Sequence, residues 1–287
     1  MANLKELRNR ITSISSTMQI TSAMKMVSAA KLKRAQDAIE QMRPFSSKLQ
    51  DIIANVSATL DSSEGPFSQE REVKNLLIVP VTSNRGLCGG FNSGIIKNVN
   101  SIIENNKGAN VSLFTIGKKS VAAYKRTDMV SGEDIEIWND LTFANASDLA
   151  EQLMTEYLEG KWDKIVLVYN RFKNAATQVV TAEQFLPISA SEETSNESAT
   201  TGDYIYEPKK EEILDILIPK SLKTQIFKVL LDSQASEHGA RMTAMHKATD
   251  NATDLRDGLK LDYNKARQAA ITNEILEIVG GAEALAG

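Results

Sequence analysis

A hydrophobic stripe runs along the first 60 residues of the chain. Steps of alternately three and four residues from Leu4 to Leu60 give seventeen positions, and thirteen of them are apolar. A repeat of 3.5 residues kept over this length is typical of a coiled-coil seam. None of the 15 glycines falls here, and glycine disfavours helix interiors. We therefore predict one long helix over residues 1–60, with a kink at Pro44. The seam weakens where three successive positions are polar: Thr21, Lys25 and Ser28.

A second stripe follows the C-terminal segment, residues 209–287. Eight of ten positions at the same spacing between Met245 and Leu276 are apolar, most of them alanine or leucine. The predicted seam consists of Met245, Ala248, Ala252, Leu255, Leu259, Asp262, Ala266, Ala269, Asn273 and Leu276. Pro219 predicts a break or kink near the start of this helix. Both seams are buried most simply if the two terminal helices pair as an antiparallel coiled coil. The alternative is two separate helices packed on one globular body.

The middle segment, residues 61–208, alternates strand-type and helix-type patterns. The strand patterns cover 76–81, 111–116, 165–169 and 177–182, and the helix patterns cover 93–104, 118–125 and 148–159. Such alternation is typical of a Rossmann-like α/β domain with a mostly parallel sheet. The stretch 189–203 is polar and acidic, which predicts a linker or surface loop. The predicted fold class is therefore α/β, with a long antiparallel coiled coil added to this domain.

Charge is distributed unevenly along the chain. The net charge is −4, but residues 1–60 carry +5 and residues 61–208 carry −8. The overall balance disfavours a bulk nucleic-acid binder, because duplex affinity comes largely from neutralised phosphates. The basic first segment is either a solvated face or a surface for acidic partners. The chain has no run of 18 apolar residues, so we expect no transmembrane segment.

Few residues suit catalysis or metal binding. The chain has one cysteine, Cys88, and two histidines, His238 and His246, which stand eight apart. Ligands on one helical face are three or four apart, so we expect no metal site. The glycine-rich turn 84–94 follows a strand and opens a helix, as a phosphate-binding turn does. It has no Gly-Lys-Ser/Thr, so an ordinary tight turn is the main alternative. We expect no cofactor and no catalytic site in this chain.

Four separated motifs resemble the gamma subunit of F-type ATP synthase. The first is Gln19-Ile20-Thr21-Ser22-Ala23-Met24-Lys25-Met26-Val27, and the second is Thr82-Ser83-Asn84-Arg85-Gly86-Leu87-Cys88-Gly89-Gly90-Phe91-Asn92. The other two, from Ser236 to Ala252 and from Ile271 to Ala284, are similar to the family's C-terminal helix and its terminal signature. Asn84 stands where the family usually has Asp.

This resemblance implies the central rotor stalk of a proton-translocating ATP synthase. The coiled coil would enter a hexamer of three alpha and three beta subunits, while the α/β domain would lie near the epsilon subunit and the membrane c-ring. The chain would transmit torque between the c-ring and the catalytic beta subunits, so that proton flow drives ATP synthesis and the reverse. We expect it to be peripheral, on the cytoplasmic face of the bacterial inner membrane, with no nucleic acid among its partners.

The resemblance also implies roles for particular residues. Met24 and Lys25 would meet the acidic lever segment of a beta subunit, and Arg267 and Gln268 would bond a beta-subunit loop. An apolar tail would turn in a hydrophobic bearing; it comprises Ile271, Ile275, Leu276, Ile278 and Val279. Tyr204, Tyr206 and Glu207 would belong to the foot near epsilon and the c-ring. Plain seam packing of Met24 and a frayed helix end are the alternatives for the first site and the tail.

Two other classes of function remain open at this point. A free-standing nucleotide-binding enzyme would use the turn 86–94 to bind ATP without other subunits. A basic coiled-coil module would bind nucleic acid or anionic membranes with a steep dependence on salt. Binding measurements on the isolated chain separate both classes from the rotor hypothesis.

Overall fold

The computed structural model describes residues 4–57, 66–69, 71–188 and 210–286. Its elements are, in order, α1 (Leu4–Ser57), β1 (Asn75–Pro80), α2 (Phe91–Asn105), β2 (Asn110–Ile116), α3 (Lys118–Tyr124), β3 (Val130–Asp134), α4 (Phe143–Leu158), β4 (Lys164–Phe172), β5 (Gln178–Leu186) and α5 (Lys210–Ala286). The chain divides into two compact units. The helix-pair unit comprises Met1–Ser28 with Met242–Gly287, and the sheet unit comprises Ala29–Arg241. The helices α1 and α5 contribute residues to both units.

The sheet unit is built on five strands in the order β3-β2-β1-β4-β5. The pairs β1–β2, β1–β4 and β2–β3 are parallel, and β4–β5 is antiparallel. Helices α2, α3 and α4 lie between successive parallel strands along the chain. The predicted Rossmann-like domain with a mostly parallel sheet is therefore confirmed.

Alternate residues of the central strand β1 face two hydrophobic cores. Leu77 and Val79 pack with α4 and with the part of α5 around Leu230. Leu76 and Ile78 pack on the opposite face with α2 and the end of α3. Successive side chains of a strand point to opposite faces, so a continuous apolar run is what a sheet covered on both faces requires.

The sequence pattern missed the edge strand β3 and misplaced some boundaries. The segment of β3 contains Gly132 and two acidic residues, which are depleted in strands. A Cβ on Gly132 would lie 2.7 Å from the ring of Phe114 on β2, so the glycine there allows close packing. Helix α4 begins at Phe143, five residues before the predicted start, and the Thr142 side chain caps it by accepting from the Asn145 N–H.

Both prolines of the long helices lie inside them. Pro44 is within α1 and Pro219 is within α5, so of the break or kink predicted at Pro219 the break is excluded. Proline removes one main-chain donor, but α5 has 77 residues and its neighbouring hydrogen bonds remain. A kink at Pro44 and a kink at Pro219 stay predictions.

The predicted domain boundaries at residues 60 and 208 both lie outside the described residues. The same holds for the acidic segment 189–203, whose interpretation as a linker stays a prediction.

Candidate functional sites

The two terminal helices are antiparallel in the helix-pair unit. The guanidinium of Arg8 donates to the hydroxyl of Tyr263 at 2.7 Å, and the ammonium of Lys25 lies 3.5 Å from Nδ1 of His246. Lys25 follows Arg8 by 17 positions, and its partner His246 precedes Tyr263 by the same 17 positions. The two helices therefore run in opposite directions with one register. Between these contacts the hydroxyls of Thr21 and Thr249 are 2.8 Å apart. The predicted antiparallel pairing is confirmed.

The seam of α1 is confirmed in position. From Leu4 to Leu49, the predicted seam positions are all buried or half-buried. Thr21 and Ser28, which looked like polar interruptions, are 9% and 3% exposed. Their hydroxyls donate to the carbonyls of Met18 and Met24 one turn earlier. Because these hydroxyls are bonded within the helix, they can lie in the seam without leaving a polar group unsatisfied.

Half of the predicted seam positions of α5 are wrong. Met245, Ala248, Ala252, Leu259 and Ala266 are buried or half-buried as predicted, whereas Leu255, Asp262, Ala269, Asn273 and Leu276 are exposed. Next to the first three exposed positions, Arg256, Tyr263 and Ala270 are half-buried instead. Leu255, predicted for the seam, is 61% exposed. Arg256 and the hydroxyl of Thr253 instead donate to the sulfur of Met18. A count of apolar residues favoured Leu255 for the seam. Arginine and tyrosine can occupy seam positions as well, because they bury their apolar stems while their polar ends make contacts across the helix pair.

The glycine-rich loop between β1 and α2 is held by hydrogen bonds of its own. The amide oxygen of Asn92 accepts from the main-chain N–H of Ser83 at 3.0 Å, and the amide nitrogen of Asn92 contacts the sulfur of Cys88 at 3.1 Å. The hydroxyl of Ser83 donates to the carbonyl of Arg85 at 2.6 Å. Leu87 adopts a φ of 60° and is 64% exposed. A leucine in the left-handed region is strained, so these bonds fix the loop in an unusual shape.

The start of the same loop caps helix α3. The first three N–H groups of α3, those of Lys118, Lys119 and Ser120, have no acceptor within the helix. They donate to the side chain of Asn84, the carbonyl of Ser83 and the hydroxyl of Thr82, at 3.0, 3.2 and 2.9 Å. The amide nitrogen of Asn84 also donates to the carbonyl of Ile135 at 2.8 Å. Asn84 therefore uses an N–H donor that an ionised Asp lacks.

Arg241 of α5 binds the carbonyl groups of this loop. Its guanidinium donates to the carbonyls of Arg85 and Gly86 at 3.3 Å and to the carboxylate of Glu237 at 2.6 Å. Arg241 and Glu237 are 7% and 9% exposed. A buried ion pair is favoured only when its remaining donors are satisfied, and the loop carbonyls supply acceptors. The composition of the loop gave no sign of this partner, which is about 155 residues away in sequence.

Burial sets the protonation of the groups around Arg241. It raises the pKa of the Glu237 carboxyl above its ordinary value, with Arg241 acting in the opposite direction. It lowers the pKa of His238 to about 4, and the positive charges of Arg241 and Lys31 lower it further. His238 is therefore neutral at pH 7, and its Nδ1 accepts from the Arg241 guanidinium at 3.3 Å.

These contacts disfavour chemistry at the loop. Desolvation raises the pKa of the Cys88 thiol, which opposes the thiolate that a nucleophile needs. The sulfur of Cys88 contacts Ser83, Arg85 and Asn92, and none of these is a histidine. Within the described ranges, no three His, Cys, Asp or Glu side chains are placed to hold a metal ion. The loop is a structural junction in which the three motif residues Thr82, Ser83 and Asn84 cap a helix.

Comparison with known proteins decides the family. The ATP synthase family matches residues 3–285. The ATP synthase gamma chain of Flavobacterium johnsoniae is 62% identical over the whole of both chains. That of Cytophaga hutchinsonii is 53% identical over 99% of each. The chain belongs to the ATP synthase gamma-chain family. Its function is that of a gamma chain, as the resemblance of the four motifs predicted.

Solved structures agree with this gamma-chain fold. One match is in the central stalk and c-ring of the Tetrahymena thermophila mitochondrial ATP synthase, with 28% identity, 80% of this chain and 99% of that chain covered, and a TM-score of 0.61. A chain of the Euglena gracilis mitochondrial ATP synthase covers 98% of this chain and 94% of its own length at 22% identity, with a TM-score of 0.69. The second match supports the fold alone.

The residues predicted to contact the alpha and beta subunits lie in the helix-pair unit. Met24 and Lys25 are half-buried on α1, and Lys25 faces His246. Arg267 and Gln268 are exposed on α5. The tail residues Ile271, Ile275, Leu276, Ile278 and Val279 are 48–71% exposed. Tyr204, Tyr206 and Glu207 lie outside the described residues. Contacts between these residues and other subunits stay predictions.

The gamma chain has no helix, among the residues described, with a stretch apolar and long enough to cross a membrane.

Proposed function

We propose that this gamma chain is the central rotor stalk of a proton-translocating ATP synthase. The observation that supports this best is the helix pair, in which α1 and α5 keep one antiparallel register from Arg8–Tyr263 to Lys25–His246. A shaft that transmits torque must resist twisting. Two helices joined by a seam and by cross-helix hydrogen bonds resist it better than one helix alone.

The rotor acts on the beta subunits through contacts that differ from one subunit to the next. A ligand shifts a conformational equilibrium only by binding its states unequally, and the same holds for a rotor against three copies of one partner. Met24 and Lys25 meet the acidic lever segment of one beta subunit. Arg267 and Gln268 bond a loop of another, where the planar guanidinium suits a carboxylate. Rotation moves both contacts to the next subunit.

The exposed end of α5 serves as the rotor's bearing. Five large apolar side chains between Ile271 and Val279 are about half or more exposed, and clusters of this kind mark interaction sites. A hydrophobic sleeve formed by the alpha and beta subunits covers them without fixing one angle, because apolar contact has no direction. This favours a bearing over a frayed helix end.

The other end of the rotor engages the membrane sector. We place Tyr204, Tyr206 and Glu207 in the foot, near the epsilon subunit and the c-ring. Proton flow applies torque to the rotor at this end, and ATP hydrolysis drives the rotor in the reverse direction. The two sequence relatives named above, from Flavobacterium johnsoniae and Cytophaga hutchinsonii, are bacterial, which favours the cytoplasmic face of the inner membrane as the location.

Reconstitution tests this function. The chain is mixed with the alpha and beta subunits of the same organism, and ATP hydrolysis and subunit ratio are measured. We expect hydrolysis to be restored in a complex with one copy of this chain per three alpha and three beta subunits. Lys25→Glu should lower hydrolysis or its coupling through repulsion from the acidic lever, while the charge-matched Lys107→Glu, at an exposed position in the sheet unit, should not. Tight one-to-one ATP binding by the isolated chain would contradict the proposal.

A further inference from the structure

One nitrogen of His246 faces two partners of opposite charge. Its Nδ1 lies 3.5 Å from the ammonium of Lys25 on α1 and 3.4 Å from the carboxylate of Asp250 on α5. A ring nitrogen without a proton accepts a hydrogen bond, whereas a ring nitrogen with a proton donates one. Nδ1 can therefore serve Lys25 or Asp250, but not both at once.

We propose that His246 is a proton-controlled switch that either holds Lys25 against α5 or frees it for a partner. With neutral imidazole, Nδ1 accepts from the Lys25 ammonium and links the two helices. With protonated imidazole, Nδ1 donates to Asp250 one turn further along α5, and the imidazolium repels Lys25. Histidine is the side chain that ordinarily changes charge between about pH 5 and 8.

The ring of His246 is exposed and lies beside a charged side chain from each helix. The charged group that faces it from α1 is Lys25, and from α5 it is Asp250; Lys247 follows it in sequence and is also exposed. The side chains of His246 and Asp250 are 56% and 61% exposed, so the ring exchanges protons with solvent directly. The choice between the two partners therefore depends on whether Nδ1 carries a proton.

The switch controls a residue assigned above to a subunit contact. This consequence rests on the proposed function, in which Met24 and Lys25 meet an acidic segment of a beta subunit. When neutral imidazole accepts from the Lys25 ammonium, one of the ammonium's N–H donors is already used. When the imidazolium repels the ammonium, all of its donors are available to carboxylates. Acidification should therefore strengthen the contact between Lys25 and the acidic segment, and alkaline conditions should weaken it.

Side-chain NMR of the isolated full-length chain tests the switch itself. The His246 ring and the Lys25 side chain are followed from pH 5 to pH 8.5 in the wild type and in Lys25→Met and Asp250→Asn. We expect the Lys25 signals to change with the same midpoint as His246. Lys25→Met should raise the His246 midpoint, and Asp250→Asn should lower it, each by about 0.2–0.5 pH unit. Lys25 signals that stay constant while His246 titrates, or an unchanged midpoint in Lys25→Met, would overturn the proposal.

ATP hydrolysis by the complex with alpha and beta subunits tests the regulation. His246→Gln keeps an acceptor for Lys25 but cannot be protonated in this range. We expect the ratio of hydrolysis at pH 6 to that at pH 8 to differ at least about twofold between wild type and His246→Gln. Equal ratios in active complexes would overturn the regulation of Lys25 and leave the rotor function intact. If neither chain restored hydrolysis, the rotor function would be wrong, and the regulation with it.

Discussion

Arg241 donates two hydrogen bonds to the main-chain carbonyl of Gly86, one from Nε and one from a terminal guanidinium nitrogen, each 3.3 Å long. These bonds fasten helix α5 to the glycine-rich loop within the sheet unit. The loop thus binds a side chain of its own protein at the carbonyls of Arg85 and Gly86. Its shape is explained by these partners inside the fold and does not require a nucleotide.

Replacing Arg241 by Met should destabilise the sheet unit by about 3–5 kcal/mol. The change removes the hydrogen bonds to the loop and leaves the Glu237 carboxylate buried without its cation. Urea unfolding followed by the fluorescence of Trp138 and Trp162, both in the sheet unit, measures the loss. Arg126→Met at an exposed position is the control and should change stability by less than about 0.5 kcal/mol. Equal effects of the two changes would show that Arg241 is not a fastening point.

The environment of His238 predicts a loss of stability in acid. The pKa of this imidazole is lowered from 6.5 to about 4 in the folded chain. Between pH 6.5 and about pH 4, the unfolded chain therefore protonates His238 more readily than the folded chain does. Stability therefore falls as the pH falls through this window, by up to about 3 kcal/mol.

His238→Gln isolates this contribution from that of Glu237, whose raised pKa acts in the opposite direction. Gln retains an acceptor for Arg241 and does not titrate. Urea unfolding at pH 7 and at pH 4.5 should show a smaller decrease in the variant than in the wild type. The same decrease in both proteins would refute the assignment of this pH dependence to His238.

Asn84→Asp should destabilise the loop by about 1–3 kcal/mol at pH 7. The new carboxylate still accepts from Lys118, but it cannot donate to the carbonyl of Ile135. Protonation restores a donor, so the difference from the wild type should shrink below about pH 4. Thermal unfolding at the two pH values measures the difference, and an Asp variant as stable as the wild type at pH 7 would contradict the role given to Asn84.

Gly132→Ala should destabilise the sheet unit by roughly 1–3 kcal/mol. The added methyl group would lie 2.7 Å from the ring of Phe114, which is 5% exposed and has little room to move. Gly108→Ala is the matched control, because nothing lies within 4 Å of the methyl group there. Urea unfolding of the two variants should separate them clearly. If Gly132→Ala were as stable as Gly108→Ala, the packing explanation for this glycine would be wrong.

The sequence predicted what depends on local periodicity. The repeat of 3.5 residues located the seam of α1 through Leu49 because burial there follows one face of a helix. The strand at Asn75–Pro80 was nearly correct because a sheet covered on both faces selects a continuous apolar run. Four motifs in order predicted the family.

Contacts between distant segments were beyond the reach of these patterns. Arg256 and Tyr263 belong to the seam of α5 because their polar tips reach Met18 and Arg8 across the helix pair, which an apolar count does not register. Arg241 looked like one more charge on a helix. Only the fold places it against the carbonyl of Gly86, and only its burial makes the position important for stability.

The most direct test of the rotor function is observation of rotation. The complex of this chain with its alpha and beta subunits is fixed through the beta subunits, and a probe is attached to an engineered cysteine at Lys107 in the sheet unit, with Cys88 replaced by serine. On addition of ATP, we predict continuous rotation of the probe in one direction, with three pauses per turn for the three beta subunits. Sustained ATP hydrolysis by complexes whose probe does not rotate would contradict the account.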